Sequence, residues 1–252
     1  VLTNLNGTLV CWMNNSKGKL KKRICGRVNA SGIELADFDN DGDLDLVHGG
    51  HEGEPGWDGT GIMINNGKGE FRSKIIFPGP KRYLHVPEVS AWDLDKDGDM
   101  DAVISRVGSL YVGTAVEVLE NLGGGDFRST LFEVGPAPEG FIAKHEGNEW
   151  NSFIRDLKFA DVDRDGDSDI VFVGGGHHSG QHFKKIQGAI LLNNGNMRFE
   201  HIPIRKRGNP ITYISAKKFE VKRDEKIRLA LEYLGTGPSK KTKYHKAFKR
   251  YI

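Results

Sequence analysis

The chain has 252 residues, 37% of them apolar and 28% charged, with 33 Gly and 9 Pro. That is enough for one large all-β domain with a real core, and Gly-rich turns between short strands suit a sandwich, barrel or propeller. Net charge is only +2, but residues 200–252 hold 15 Lys+Arg against 5 Asp+Glu, so that stretch carries +10 and the rest −8. No apolar run reaches the length of a membrane-spanning helix. No secretory signal is visible and the first residue is Val1, so the expectation is a mature product or a portion of a longer chain.

In chain order, the first pattern is Leu9-Val10-Cys11-Trp12-Met13-Asn14-Asn15-Ser16-Lys17-Gly18-Lys19-Leu20, a strand, an Asn/Gly turn and a second strand. Cys11 and Cys25 fall nearly opposite one another on this hairpin, where a cross-strand disulfide is an open alternative to two free thiols. Next comes Asp37-Phe38-Asp39-Asn40-Asp41-Gly42-Asp43-Leu44-Asp45. The same pattern returns as Asp93-Leu94-Asp95-Lys96-Asp97-Gly98-Asp99-Met100-Asp101 and as Asp161-Val162-Asp163-Arg164-Asp165-Gly166-Asp167-Ser168-Asp169. Carboxylates at positions 1, 3, 5, 7 and 9 repel one another unless a cation gathers them. Ca²⁺ takes six to eight oxygens from a flexible loop, and this spacing supplies side chains from 1, 3, 5 and 9 and a carbonyl from 7. The Gly at position 6 permits the sharp turn. Mg²⁺ fits less well, because it demands octahedral geometry and keeps its waters. An EF-hand is excluded: its bidentate Glu at position 12 is replaced by His48, Ile104 and Phe172, and β-branched runs ended by Gly follow each loop instead of a helix. The reading is three Ca²⁺ sites.

Each acidic loop is followed by a second hairpin signature: Ile62-Met63-Ile64-Asn65-Asn66-Gly67 before Phe71, Val118-Leu119-Glu120-Asn121-Leu122-Gly123 before Phe127, and Ile190-Leu191-Leu192-Asn193-Asn194-Gly195 before Phe199. One repeat is therefore strand A, acidic loop, strand B, long variable loop, strand C, Asn/Gly turn and strand D, about 60 residues in all. Four antiparallel strands per unit predict an all-β fold, a β-propeller with Ca²⁺ in its A–B loops. The units are 1–28 (strands C and D only), 29–80, 81–135, 136–208 and a degenerate 209–252 with a basic tail, all in one domain. In that last unit Lys222 and Arg228 stand at ligand places, so no Ca²⁺ is expected there. Two arrangements of the ends are open: the first hairpin completes the last unit in a ring of four blades, or the chain is part of a larger propeller.

The threefold Asp-x-Asp-x-Asp-Gly-Asp-x-Asp with its Asn-Gly…Phe hairpin resembles the FG-GAP repeats of integrin α-subunit propellers and their VCBS-repeat relatives, over roughly residues 5–235. The Phe-Gly and Gly-Ala-Pro elements of the FG-GAP name are poorly kept, which favours the VCBS branch. The resemblance implies an extracellular or cell-surface propeller with structural Ca²⁺. It does not imply one activity, since the family includes adhesion receptors, lectins and domains attached to polysaccharide-processing enzymes.

In a propeller the A–B and C–D loops share one side, and the longer B–C and D–A loops share the other. Six of the nine His and two of the four Trp fall in the longer loops. Variable loops on a rigid scaffold are where binding sites are grafted. The candidate ligand-binding residues are Trp57, Arg82, Tyr83, His85, His145, Trp150, His177 and His182, with aromatics to stack on a sugar and Arg82 to pair with an acid. His177 and His178 are adjacent and point opposite ways on an extended chain, which argues against one shared ion. The functional expectation is a recognition or adhesion module for carbohydrate or protein, not an enzyme, with no nucleic-acid partner. Alternatives are a polysaccharide lyase or hydrolase, with His51, His85, His145 or His177 near the chemistry, and a purely structural subunit that associates with further blades. Asn6-Gly7-Thr8, Asn14-Asn15-Ser16 and Asn29-Ala30-Ser31 match glycosylation sequons, a weak signal in an Asn-rich chain. The basic tail, with Lys240, Lys241, Lys243, Lys246, Lys249 and Arg250, reads as a solvated or partly disordered end, with an anionic surface or glycan as the alternative partner.

Overall fold

The computed structural model describes residues 2–5, 7–51, 59–77, 79–80, 82–144, 148, 150, 153–175 and 186–205. They form an all-β structure of fifteen strands, in chain order β1 (Leu2–Leu5), β2 (Thr8–Asn14), β3 (Leu20–Arg27), β4 (Gly32–Ala36), β5 (Asp45–Gly49), β6 (Thr60–Asn65), β7 (Phe71–Phe77), β8 (His85–Trp92), β9 (Asp101–Val107), β10 (Thr114–Asn121), β11 (Phe127–Gly135), β12 (Phe153–Ala160), β13 (Asp169–Gly175), β14 (Ile186–Asn193) and β15 (Phe199–Arg205). A 3₁₀ turn, Ser109–Tyr111, links β9 to β10. Three sheets have four antiparallel strands in sequential order, β4 to β7, β8 to β11 and β12 to β15. Each holds the A, B, C and D strands expected of one repeat.

The first sheet departs from the expectation of two strands. It has three, because β1 pairs with β2 from Leu2↔Cys11 to Leu5↔Thr8. The link between them in the sequence is the dipeptide Asn6-Gly7, the favoured two-residue hairpin connection, and Gly7 sits at φ +72°. Read as part of a sequon, Asn6-Gly7 hid a turn signal. Cys11 and Cys25 are joined in a disulfide between β2 and β3, with Cα atoms 5.9 Å apart.

Consecutive sheets pack face to face over three apolar layers. Leu9, Cys11, Cys25, Val28, Leu46, Met63 and Phe71 fill the first. Ala36, Phe38, Val47, Ile62, Val89, Ala102, Ile104 and Leu119 fill the second, with Phe127 against them. Leu94, Val103, Val116, Val118, Leu157, Ile170, Phe172 and Leu191 fill the third, with Phe199 against them. A strand between two layers is buried on both faces, which explains why β5 and β9 are apolar or buried throughout instead of alternating. Leu46 faces the first layer and Val47 the second; Ala102 faces the second and Val103 the third. Phe71, Phe127 and Phe199, the aromatics that open the D strands, each pack toward the preceding sheet. Burying such a ring contributes about 1.5–3 kcal/mol. At one edge of the assembly, β8 lies against both β4 and β12. At the other edge β3 meets β7, and β11 meets β15.

Candidate metal centres and the opposite loops

All three acidic loops adopt one conformation. The position-1 carboxylates of Asp37, Asp93 and Asp161 accept the N–H of the position-6 Gly at 3.0, 3.2 and 3.2 Å. The position-5 carboxylates of Asp41, Asp97 and Asp165 accept the N–H of position 7 at 2.9, 2.8 and 3.0 Å. Gly42, Gly98 and Gly166 lie at φ +90, +100 and +103°, where a Cβ is strained. Position 4 is left-handed too, at +58° in Asn40, +64° in Lys96 and +63° in Arg164. Asn tolerates that conformation better than the two long cations.

The loops draw carboxylate oxygens together within 4.8 Å: Asp37 with Asp39 and Asp41, Asp93 with Asp95 and Asp101, and Asp161 with Asp163 and Asp169. Asp37 Oδ1, Asp39 Oδ1 and Asp93 Oδ1 are buried and accept no hydrogen bond. A buried anionic oxygen without a donor is costly, and a hard cation relieves that cost. The residues thus fit Ca²⁺, which would be held by these carboxylates and a position-7 carbonyl.

Position 9 does more than the ligand pattern foresaw. Asp45, Asp101 and Asp169 are fully buried. One oxygen of each accepts the N–H of position 2 (Phe38 at 2.9 Å, Leu94 at 2.8 Å, Val162 at 2.7 Å). The other accepts the N–H of the hairpin asparagine (Asn65 at 2.9 Å, Asn121 at 2.8 Å, Asn193 at 2.9 Å). One carboxylate therefore ties the A–B loop to the C–D hairpin beside it, the physical reason an Asn accompanies each acidic loop although the number of residues between them varies. Burial pushes the carboxyls of Asp101 and Asp169 up to about 7, against the lowering effect of those N–H donors. Burial raises Asp45 and Asp95 as well. A cation alongside would favour the ionised forms.

The position-7 carboxylates take a third role. Asp43, Asp99 and Asp167 lie under the hairpin glycines Gly67, Gly123 and Gly195, so a Cβ there would meet a carboxylate oxygen at 2.6, 3.2 and 3.3 Å.

Of the candidate ligand residues at the other ends of the strands, Trp57, His145, His177 and His182 lie outside the described residues, as do His178, the degenerate loop at 220–228 and the basic tail. Tyr83 is 1% exposed and its hydroxyl donates to Glu133 at 2.7 Å; burial and that carboxylate push its pKa upward. Its ring packs inward, leaving no face for a sugar. Arg82 donates to the Ala137 carbonyl at 2.7 Å and pairs with Glu133 at 3.6 Å. Tyr83 is thus tied to the end of β11 and Arg82 to both β11 and the loop after it. His85 stacks on His51, with ring centroids 4.3 Å apart, and meets the Tyr111 ring edge-on at 6.4 Å. Trp150 is half-buried, with Phe141 edge-on at 6.4 Å, and its carbonyl accepts the N–H of Gly113.

A buried polar cluster that no sequence pattern marks lies beneath this end. Arg106, with no exposed surface, donates to Glu117, to the Thr60 hydroxyl at 3.0 Å and to the Tyr83 carbonyl at 3.4 Å. Ser129 donates to the other Glu117 oxygen at 2.5 Å.

A scan against protein-family models finds no match, and a search of curated proteins likewise finds none.

Proposed function

We propose that the chain is a calcium-stabilised β-propeller, or a portion of one, of the FG-GAP/VCBS type. It serves as an extracellular recognition module for carbohydrate or protein. The observation that carries this reading is the threefold acidic loop, with buried carboxylate oxygens that accept no hydrogen bond in the first two copies. The stacking of consecutive four-stranded sheets, first strand beside first strand, supports the propeller geometry. The Cys11–Cys25 disulfide supports an oxidising compartment. Among the described residues no helix is long and apolar enough to cross a membrane.

In this reading the cations fix the scaffold and the opposite loops do the binding. Asp95→Ala removes one ligand from the second loop only. Calcium titration of that variant should give two strong sites in place of three; three unchanged sites would remove Asp95 from the ligand set. For the ligand, the test is a glycan array together with a turnover assay on uronic-acid polymers. Trp57→Ala combined with Trp150→Ala should abolish capture of whichever glycan binds, while calcium-dependent melting is retained. Undiminished capture, or a glycan seated on the Asp-rich side, would move the site elsewhere. Turnover would make the module an enzyme.

A further inference from the structure

Five aspartates per loop exceed what the ligand pattern uses, because position 7 contributes its carbonyl and leaves its carboxylate over. The structure gives that carboxylate a partner in the preceding repeat. Asn40, at position 4 of the first loop, donates its side-chain amide to Asp99, at position 7 of the second, at 2.5 Å. Lys96, at position 4 of the second loop, pairs with Asp167, at position 7 of the third, at 3.7 Å, and also donates to the Gly166 carbonyl. The left-handed backbone at position 4 places these side chains toward the next repeat.

A second link runs the other way across each junction. The amide of Asn121, in the second repeat, donates to the Phe38 carbonyl of the first loop at 3.0 Å. The amide of Asn193, in the third, donates to the Leu94 carbonyl of the second loop at 3.2 Å. Phe38 stands between Asp37 and Asp39, and Leu94 between Asp93 and Asp95. The same Asn121 and Asn193 give their backbone N–H to Asp101 and Asp169. A loop drawn in around its ion thus sets the asparagine that holds the peptide between the first two ligands of its neighbour.

From these two opposed links we infer that the three cation sites are coupled, with Asn40 and Lys96 as positioning residues that transmit order from one loop to the next. The inference rests on the calcium reading above. Each loop has two arrangements, one gathered by a cation and one relaxed by carboxylate repulsion. A bond that joins two such elements makes filling one favour filling the other, reciprocally. Both forward links are solvent-exposed, so each should change the neighbour's affinity by roughly two- to fivefold.

The test is calorimetric titration of calcium into the decalcified full chain. The wild type should bind three ions with a Hill coefficient above unity. Asn40→Gly and Lys96→Gly remove the side chains and suit the left-handed backbone. Each should keep three ions and lower the Hill coefficient, and together they should lower it further toward unity, with the Asn121 and Asn193 links left in place. Lys96→Gly also removes a positive charge beside the third loop, so coupling is read from the shape of the isotherm and not its midpoint. Combining Asn40→Gly with Asp99→Ala should reduce cooperativity no further than Asn40→Gly alone, as expected for two ends of one link. Three ions bound independently by the wild type, or cooperativity undiminished in the double Gly variant, would overturn the coupling through Asn40 and Lys96 and leave the calcium reading intact. No calcium binding at all would overturn both.

Discussion

Removal of calcium should lower the melting temperature by at least roughly 15 °C, and its return should restore it. A ligand bound only by the folded state adds RT ln(1 + [L]/Kd), about 2.7 kcal/mol per site at a hundredfold excess over Kd, hence about 8 kcal/mol for three such sites. In a chain of this size each kcal/mol moves the transition by about 2–4 °C. The structural basis is the arrangement of the loops: oxygens of Asp37, Asp39 and Asp93 are buried without a donor, and the second and third clusters hold the fully buried Asp101 and Asp169. Without a cation those charges stay in a medium that solvates them poorly, so the loops should relax first and loosen the hairpins tied to them through position 9. Mg²⁺ at the same concentration should restore less, since it holds its waters and its octahedron more rigidly. Melting curves in chelator, in calcium and in magnesium decide the matter. Superimposable curves in chelator and calcium would remove the metal from the account.

Why some of this was legible in the sequence and some was not comes down to the distance over which each contact acts. The acidic loop is a local signal: nine consecutive residues, a Gly with positive φ, and a strand on each side. The Asn-Gly hairpins and their Phe are local too, and their repetition set the strand order of the three four-stranded sheets. The three-strand first sheet was within reach, since Asn6-Gly7 is a hairpin dipeptide, but the four residues of β1 offer little pattern before it. What spacing could not supply was partnership between repeats. Asn40 finds Asp99 and Asn121 finds Phe38 across 59 and 83 residues. Tyr83 shows the same limit. As a loop aromatic beside an Arg and near His85, it resembled a stacking platform, and only Glu133, 50 residues on, makes it a buried strut.

The second large effect is expected at the pair no pattern announced. Arg106→Met should destabilise the calcium-loaded protein by about 3–5 kcal/mol. Arg106 and Glu117 sit on adjacent strands, 11 residues apart, and both are essentially buried. Charged residues inside apolar strands read as breaks in the pattern, yet here each satisfies the other between two sheets. The guanidinium also reaches Thr60 on β6, so one side chain joins the second sheet to the third in chain order. Removing the cation leaves Glu117 buried with only Ser129 donating to it, and an uncompensated carboxylate there is expensive. The partner substitution separates this from a packing defect. Arg106→Met combined with Glu117→Leu removes both charges and keeps most of the volume, so it should recover the greater part of the loss. Urea unfolding at one saturating calcium concentration measures both variants on one scale, so that the metal contribution cancels between them. If the single variant loses less than about 1 kcal/mol, the range of an ordinary surface pair, the charges are not acting as a desolvated unit. If the double variant is no better than the single one, the loss lies in the link to Thr60 and Tyr83, and the guanidinium acts through its hydrogen bonds between the sheets instead of through its charge.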